Sequence, residues 1–153
     1  MKKRPFSRFS KPKAKKGGII ESWHNGAGAE IHLYSRALQK AARALAQTLE
    51  PERSPETAWD VCPIIWLYRQ ALELRLKALV GEGNNFLKSK TDPISLYRTH
   101  SLRWLAQIVC QVIKTVGWEN DFACEGVSSL TEFSSLINEI ESLDPASCAV
   151  HFA

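Results

Sequence analysis

The sequence lacks the long apolar segments that mark membrane proteins and secreted precursors. None of its uninterrupted apolar runs reaches the ~18 residues that a membrane-spanning helix needs. The N-terminus is basic, but the apolar stretch of a signal peptide does not follow it. We therefore predict a cytoplasmic protein with no membrane partner.

Closely spaced cysteine pairs are also missing. Cys62, Cys110, Cys124 and Cys148 stand far apart, and none forms the CxxC pair typical of zinc sites. Two disulfides are arithmetically possible, but without a secretion signal reduced and mostly buried thiols are expected. The sequence therefore predicts no metal site.

Several catalytic motifs do not occur. There is no glycine-rich phosphate-binding loop, no GxSxG nucleophile elbow and no ExxH pair of a di-iron bundle. These absences exclude the commonest nucleotide, hydrolase and metal sites, and no cofactor is predicted.

Charge is distributed unevenly along the chain. Residues 1–16 contain eight basic residues and no acid, so the other twelve basic and sixteen acidic residues give the remainder a net charge of −4. This composition predicts a disordered basic tail over 1–18. The tail is either a phosphate-attracting, nucleic-acid-binding segment or a solubilising leader. The candidate nucleic-acid-binding residues are Lys2, Lys3, Arg4, Arg8, Lys11, Lys13, Lys15 and Lys16.

Apolar residues spaced by three and four predict an all-α domain over 19–144. Four amphipathic helices and no strand favour an antiparallel four-helix bundle, with a polar loop over 81–98. Residues 145–153 end in apolar side chains, as expected of a truncated reading frame or a shortened paralogue. The predicted helices cover 28–49, 55–80, 99–116 and 128–143. The expected inner face of the first is Ile31, Tyr34, Leu38, Ala41, Leu45 and Leu49.

The second predicted helix contains the segment YRQALELRLKALV, residues 68–80, which is largely apolar but carries four charges. Arg69, Glu73 and Lys77 are spaced by four, so they form ion pairs along one stripe. We interpret this stripe as a solvated edge of the helix. Arg75 falls among apolar positions on the face expected to be dry, where it needs a partner or a polar groove or interface.

The same segment, followed by a glycine-rich break and THSLRWLAQIV, resembles the HEPN-like (higher eukaryotes and prokaryotes nucleotide-binding) group of small bacterial helical proteins. The shared pattern is YRxALExxLKAL followed by HxLxxL, and it covers about residues 61–112. It is carried by Arg69, Glu73, Lys77, His100, Leu102 and Leu105.

This resemblance implies a helical bundle that is often dimeric and linked to RNA. Many members of the group are metal-independent ribonuclease toxins with an Arg-x(4–6)-His motif, in which arginine and histidine handle phosphate charge and proton transfer. None of the four histidines here follows an arginine at that spacing. The remaining catalytic candidates are Arg69, Arg75 and His100.

Three functional hypotheses follow. The first is a non-catalytic or degenerate HEPN-like module with an RNA-associated or protein-interaction role in a bacterial toxin–antitoxin or defence setting. Its expected partners are a second copy or another helical protein, RNA, and a nucleotidyltransferase-like antitoxin. The second is an active endoribonuclease with an unusual Arg/His pair, and the third is a purely structural partner-binding bundle. The sequence leaves open whether the chain is an enzyme and favours a non-catalytic role.

Overall fold

The computed structural model describes residues 28–49, 61–88, 91–122 and 126–143. The regular elements of these residues are helices, which confirms the all-α class. No helix in the described ranges is long and apolar enough to cross a membrane. The helices are α1 (Gly28–Gln47), α2 (Val61–Gly83), a 3-10 turn (Asn84–Phe86), α3 (Pro93–Arg98), α4 (Leu102–Val116) and α5 (Leu130–Leu143).

Helix α2 lies at the centre and contacts both α1 and α4, while α5 packs on α4. Helices α1 and α2 run antiparallel. The hydroxyl of Ser35 donates to the carbonyl of Ala71 at 2.7 Å, and His32, nearer the start of α1, contacts Glu82, nearer the end of α2. Ser35 and Ala71 are both buried, and such small residues allow the two backbones to approach closely.

The pair α4 and α5 is also antiparallel, because Arg103 contacts Asn138 whereas Cys110 contacts Ser134. Helices α2 and α4 instead run in the same direction. Arg69 in the first half of α2 bonds the backbone just before α4, and Gly83 at the end of α2 lies against Val112 in the last turns of α4. The connection between these helices therefore returns along α2 before α4 begins.

That connection contains regular structure where a polar loop was expected. The side chain of Asn84 bonds both the backbone N–H and the carbonyl of Thr91, at 2.7 and 2.9 Å. Asp92 then caps α3 by accepting from the N–H of Ser95, and Leu96 is buried in the core. The loop prediction was wrong here because α3 is only six residues long and buries a single apolar side chain, Leu96, which gives no periodic signal.

Local side-chain and glycine caps define the ends of α4 and the start of α5. Ser101 caps α4 by accepting from the N–H of Trp104, and Gly117 ends the helix in the left-handed region with φ of 78°. At the start of α5 the N–H of Glu132 donates to the hydroxyl of Ser129, as the capping-box pattern predicts. The carboxylate of Glu132 reaches back to Ser128, one residue earlier than the ideal box.

Two features of the helices differ from the sequence prediction. Helix α2 continues through the expected glycine stop to Gly83, because packing against α4 favours continuation. In α1 the buried face comprises Ile31, Ser35 and Ala42, whereas Tyr34 and Leu45 of the predicted inner face are exposed. The buried face is rotated because α1 contacts α2 through small residues.

One apolar core joins α2, α3, α4 and α5. Helix α4 supplies half of its buried members, and none of the α1 residues whose burial is described belongs to it. Its buried members are Leu76, Val80, Leu96, Leu102, Leu105, Ala106, Val109 and Ile137.

We expect Gly83→Ala to destabilise the fold by about 1–3 kcal/mol, the usual cost of overpacking a close contact. A Cβ at this position would lie 2.7 Å from both methyl carbons of Val112, so α2 and α4 would have to move apart. Urea unfolding measures the loss. Gly81→Ala is the matched control in the same helix, because a Cβ there meets nothing within 4 Å and alanine favours the helix by up to about 1 kcal/mol. Equal effects of the two variants would contradict the proposed close packing.

The cap of α5 predicts a pH dependence. The backbone N–H and hydroxyl of Ser128 donate to the Glu132 carboxylate at 2.7 Å each and lower its pKa. A lowered pKa in the folded state stabilises the protein while Glu132 is ionised, and this contribution disappears as pH falls through that pKa. The melting temperature of Glu132→Gln should therefore lie below that of wild type at neutral pH and approach it in acid. Glu139→Gln, which removes an exposed carboxylate of the same helix outside the cap, is the control. A gap that stays constant with pH would contradict this assignment.

Candidate functional site

Four polar side chains of α2 and the α3–α4 junction meet in one cluster, which we call the Glu73 cluster: Arg69, Glu73, Lys77 and His100. Arg69 Nη1 donates to Glu73 Oε2 at 3.0 Å, and Lys77 Nζ donates to Glu73 Oε1 at 2.7 Å. His100 Nδ1 lies 3.1 Å from the same Oε1. Each i, i+4 pair that the sequence predicts is present, and both share one carboxylate.

The three α2 charges are buried, so the prediction of a solvated edge was wrong. Arg69 and Glu73 are each 2% exposed, and Lys77 is also buried. The start of α4 and the segment before it lie over this stripe, as the bonds to His100 and Tyr97 indicate. Charges can remain in such a place because Glu73 neutralises one cation, and Arg69 Nη2 and Lys77 Nζ each also reach a backbone oxygen.

Two backbone carbonyls complete the cluster. Arg69 Nη2 donates to the carbonyl of His100 at 2.8 Å, and Lys77 Nζ donates to the carbonyl of Tyr97 at 3.1 Å. Tyr97 lies in the last turn of α3, where carbonyls have no partner within the helix and a cation is favourable. The α2 charges therefore fix the end of α3 and the entry to α4.

His100 lies at the surface end of the cluster, with its side chain 54% exposed. An ionised carboxylate only accepts hydrogen bonds, so Glu73 requires a proton on Nδ1 of His100. Nε2 is then the ring nitrogen that Glu73 does not contact. Glu73 thus holds His100 in an orientation that general bases also use.

The cluster is less suited to phosphate chemistry than its composition suggests. The guanidinium of Arg69 is buried, and both of its terminal nitrogens bond to protein groups. Lys77 is buried in the same way. Exposed arginines near His100 in sequence are Arg98 and Arg103, and Arg103 bonds Asn138. Arg69 and His100 lie together in the structure, but the guanidinium of Arg69 is occupied by its bonds to Glu73 and to the backbone of His100.

Arg75 lies elsewhere: the face expected to be dry is exposed at this position, and of the alternatives left open the structure shows a groove. Its side chain is exposed and lines a groove of about 420 Å³ between α1, α2 and the end of α5. No described residue forms a hydrogen bond or ion pair with it. Burial was expected at this position because the neighbouring residues on the same helix face are apolar, but no described helix covers this side of α2.

Glu141, whose side chain caps a helix, was not singled out in the sequence. Its Oε2 accepts from the N–H of Leu102 at 2.7 Å, so a buried carboxylate of α5 caps the N-terminus of α4. Acids are favourable at that end of a helix. A signal existed, because Glu141 follows the buried Ile137 by four residues and thus falls on the apolar face of α5.

The remaining predicted site residues are not part of the Glu73 cluster. The basic candidates at positions 2–16 lie outside the described residues, as do His24, His151, Cys124 and Cys148. His32 contacts Glu82 at 3.1 Å, and the thiols of Cys62 and Cys110 are free. No group of three potential metal ligands occurs within the described part of the chain.

Comparison with protein-family models, with curated proteins and with solved structures finds no match to this chain. The geometry of the described residues therefore carries the functional argument, and the HEPN-like resemblance stays a prediction.

We expect Glu73→Gln to destabilise the protein by about 3–5 kcal/mol, because it leaves two buried cations without their carboxylate. Chemical denaturation monitored by circular dichroism measures the change. Glu82→Gln is the matched control, since it removes an exposed carboxylate of the same helix whose partner is also partly exposed. That variant should stay within about 0.5 kcal/mol of wild type. A similar loss of unfolding free energy in both variants would contradict the prediction, because it would show that the buried carboxylate stabilises the protein no more than the exposed one.

Proposed function

We propose that this chain is a HEPN-like helical module that has no catalytic activity of its own and acts through contacts with another protein. The observation that carries this proposal is the burial of Arg69 in the Glu73 cluster. A ribonuclease of the resembled group needs an arginine that reaches phosphate, and here the guanidinium bonds Glu73 and the backbone of His100.

We propose that the fold itself is HEPN-like. The long helices α1, α2, α4 and α5 form the HEPN-like four-helix bundle, with antiparallel pairs at its two sides. The positions that carry the resemblance meet around α2 and α4: Arg69, Glu73 and Lys77 bond the α3–α4 junction, and Leu102 and Leu105 are buried beside them. The residues that carry the resemblance therefore stabilise the fold of the module.

The cellular setting rests on the resemblance. We place the protein in the bacterial cytoplasm, in a toxin–antitoxin or defence system, with a nucleotidyltransferase-like antitoxin or a second copy as a candidate partner. RNA association through the basic residues at positions 2–16 is an alternative role for the same module.

A second candidate function is metal-independent RNA cleavage, and one observation favours it. Glu73 orients His100 through Nδ1 and leaves Nε2 on a half-exposed side chain. Such a site would need an arginine other than Arg69, because Arg69 bonds Glu73 and the backbone of His100. Arg75 lies on a different side of α2, about 120° around the helix from Arg69.

Incubation of the full-length protein with single-stranded RNA in a chelator-containing buffer separates the two functions. We expect no cleavage above background from wild type, because no accessible cation faces His100 among the contacts described. His100→Ala and His32→Ala are the paired variants, since both remove a partly exposed histidine that contacts a glutamate.

Cleavage by wild type that persists in His32→Ala and disappears in His100→Ala would establish the ribonuclease and overturn the non-catalytic proposal. Cleavage that survives in both variants would point to a contaminating nuclease and would leave the non-catalytic proposal in place.

A further inference from the structure

Along one side of α2 lies a seam of residues that none of the described helices covers. The seam residues are spaced by three and four, the pattern with which one helix packs against another. Ile65, Tyr68 and Leu79 are 39–46% exposed, and Leu72 is half-buried. The seam consists of Ile65, Tyr68, Leu72, Arg75 and Leu79.

The seam is distinct from the two covered sides of α2. The Glu73 cluster and Leu76 face α4, while Ala71 contacts α1 through its carbonyl. The seam lies between these sides over roughly 80° of the helix surface, at 100° per residue. It extends from Ile65 to Leu79, about 21 Å at 1.5 Å per residue.

Helices α1 and α5 border the seam and convert its first three turns into the groove of about 420 Å³. Gln39 lies on the α1 side, and Ile140 and Leu143 lie on the α5 side. Leu143 is 70% exposed. A linear apolar groove with exposed walls fits the helix-in-groove mode of protein recognition.

Arg75 gives the groove a charge preference. It is the only charged member of the seam, and within the described residues no carboxylate contacts it. Arg69 also lines the groove, but it is 2% exposed and paired with Glu73. A helix docked here would bring its own side chains against the guanidinium, and a carboxylate would form a bidentate pair with it. A lysine at the same place would meet a like charge in a partly desolvated site.

We propose that the α1–α2–α5 groove binds an amphipathic α-helix of a partner protein, and that this helix carries a carboxylate within its apolar face to meet Arg75. Apolar residues of the partner repeat every three to four positions and pack on Ile65, Tyr68, Leu72 and Leu79. This inference rests on the proposed protein-contact function and names its surface and the chemistry of its partner.

A series of synthetic helical peptides tests the proposal with the full-length protein. Each peptide is stapled, spans about three heptads and carries leucine at every seam-facing position except one. That position holds glutamate, and it moves along the series. A parallel series holds lysine in place of glutamate. Binding is measured by fluorescence anisotropy.

We expect one register in which the glutamate peptide binds wild type at least tenfold more tightly than its lysine counterpart. Arg75→Glu should reverse that order, because the seam charge is inverted. Arg75→Gln should remove the preference without reversing it, and it is the milder variant if the reversal disturbs folding. Lys114→Glu, a charge reversal on an exposed residue of α4 that does not line the groove, should keep the wild-type preference.

Two results would overturn the inference. Peptides that do not bind, or that bind without regard to residue 75, would show that the groove is not a helix-docking site. A wild-type dimer in analytical ultracentrifugation that Arg75→Glu converts to monomer would assign the groove to a second copy of the chain. Either result leaves the RNA-cleavage test unaffected, so failure of this inference is distinguishable from failure of the non-catalytic proposal.

Discussion

The centre of this structure depends on the hydrogen bonds that the Glu73 carboxylate accepts. It accepts hydrogen bonds from a guanidinium and an ammonium that are buried beside it, and it contacts the His100 ring. Burying these charges is costly, so the arrangement is tolerable only when the charged groups are paired and make further hydrogen bonds. The backbone carbonyls of Tyr97 and His100 supply the missing acceptors. The charged stripe therefore dictates where the α3–α4 junction lies, and the apolar core forms around that placement.

The three sides of α2 have different physical roles. One holds the Glu73 cluster against α4, and a second packs small residues against α1. The third is apolar, uncovered by the described helices, and interrupted by Arg75. The charged side, whose residues suggest a catalytic site in the sequence, thus stabilises the fold. The apolar side, whose residues suggest a buried core, is accessible to another molecule. This inversion is the main support for a module that works by contact.

Helix positions and several caps could be predicted, because Ser101, Gly117 and Ser129 act through neighbours in sequence. The buried environment of Arg69 could not be predicted, because charge pairs spaced i, i+4 have the same sequence pattern on a solvated face and on a buried face. The buried environment depends on two distant carbonyls: that of His100, 31 residues after Arg69, and that of Tyr97, 20 residues after Lys77. The glycine stop after Val80 misled for a similar reason: Gly83 is needed where α2 approaches Val112, and local propensity does not report such contacts.

The bond between Arg69 and residue 100 involves the backbone carbonyl, and this separates two kinds of evolutionary constraint. Any amino acid at position 100 offers that oxygen, whereas Arg69, Glu73 and Lys77 depend on one another's side chains. Sequence drift could therefore replace the histidine while the buried salt bridges stay intact. A lineage could gain or lose a reactive imidazole at this surface without rebuilding the bundle beneath it.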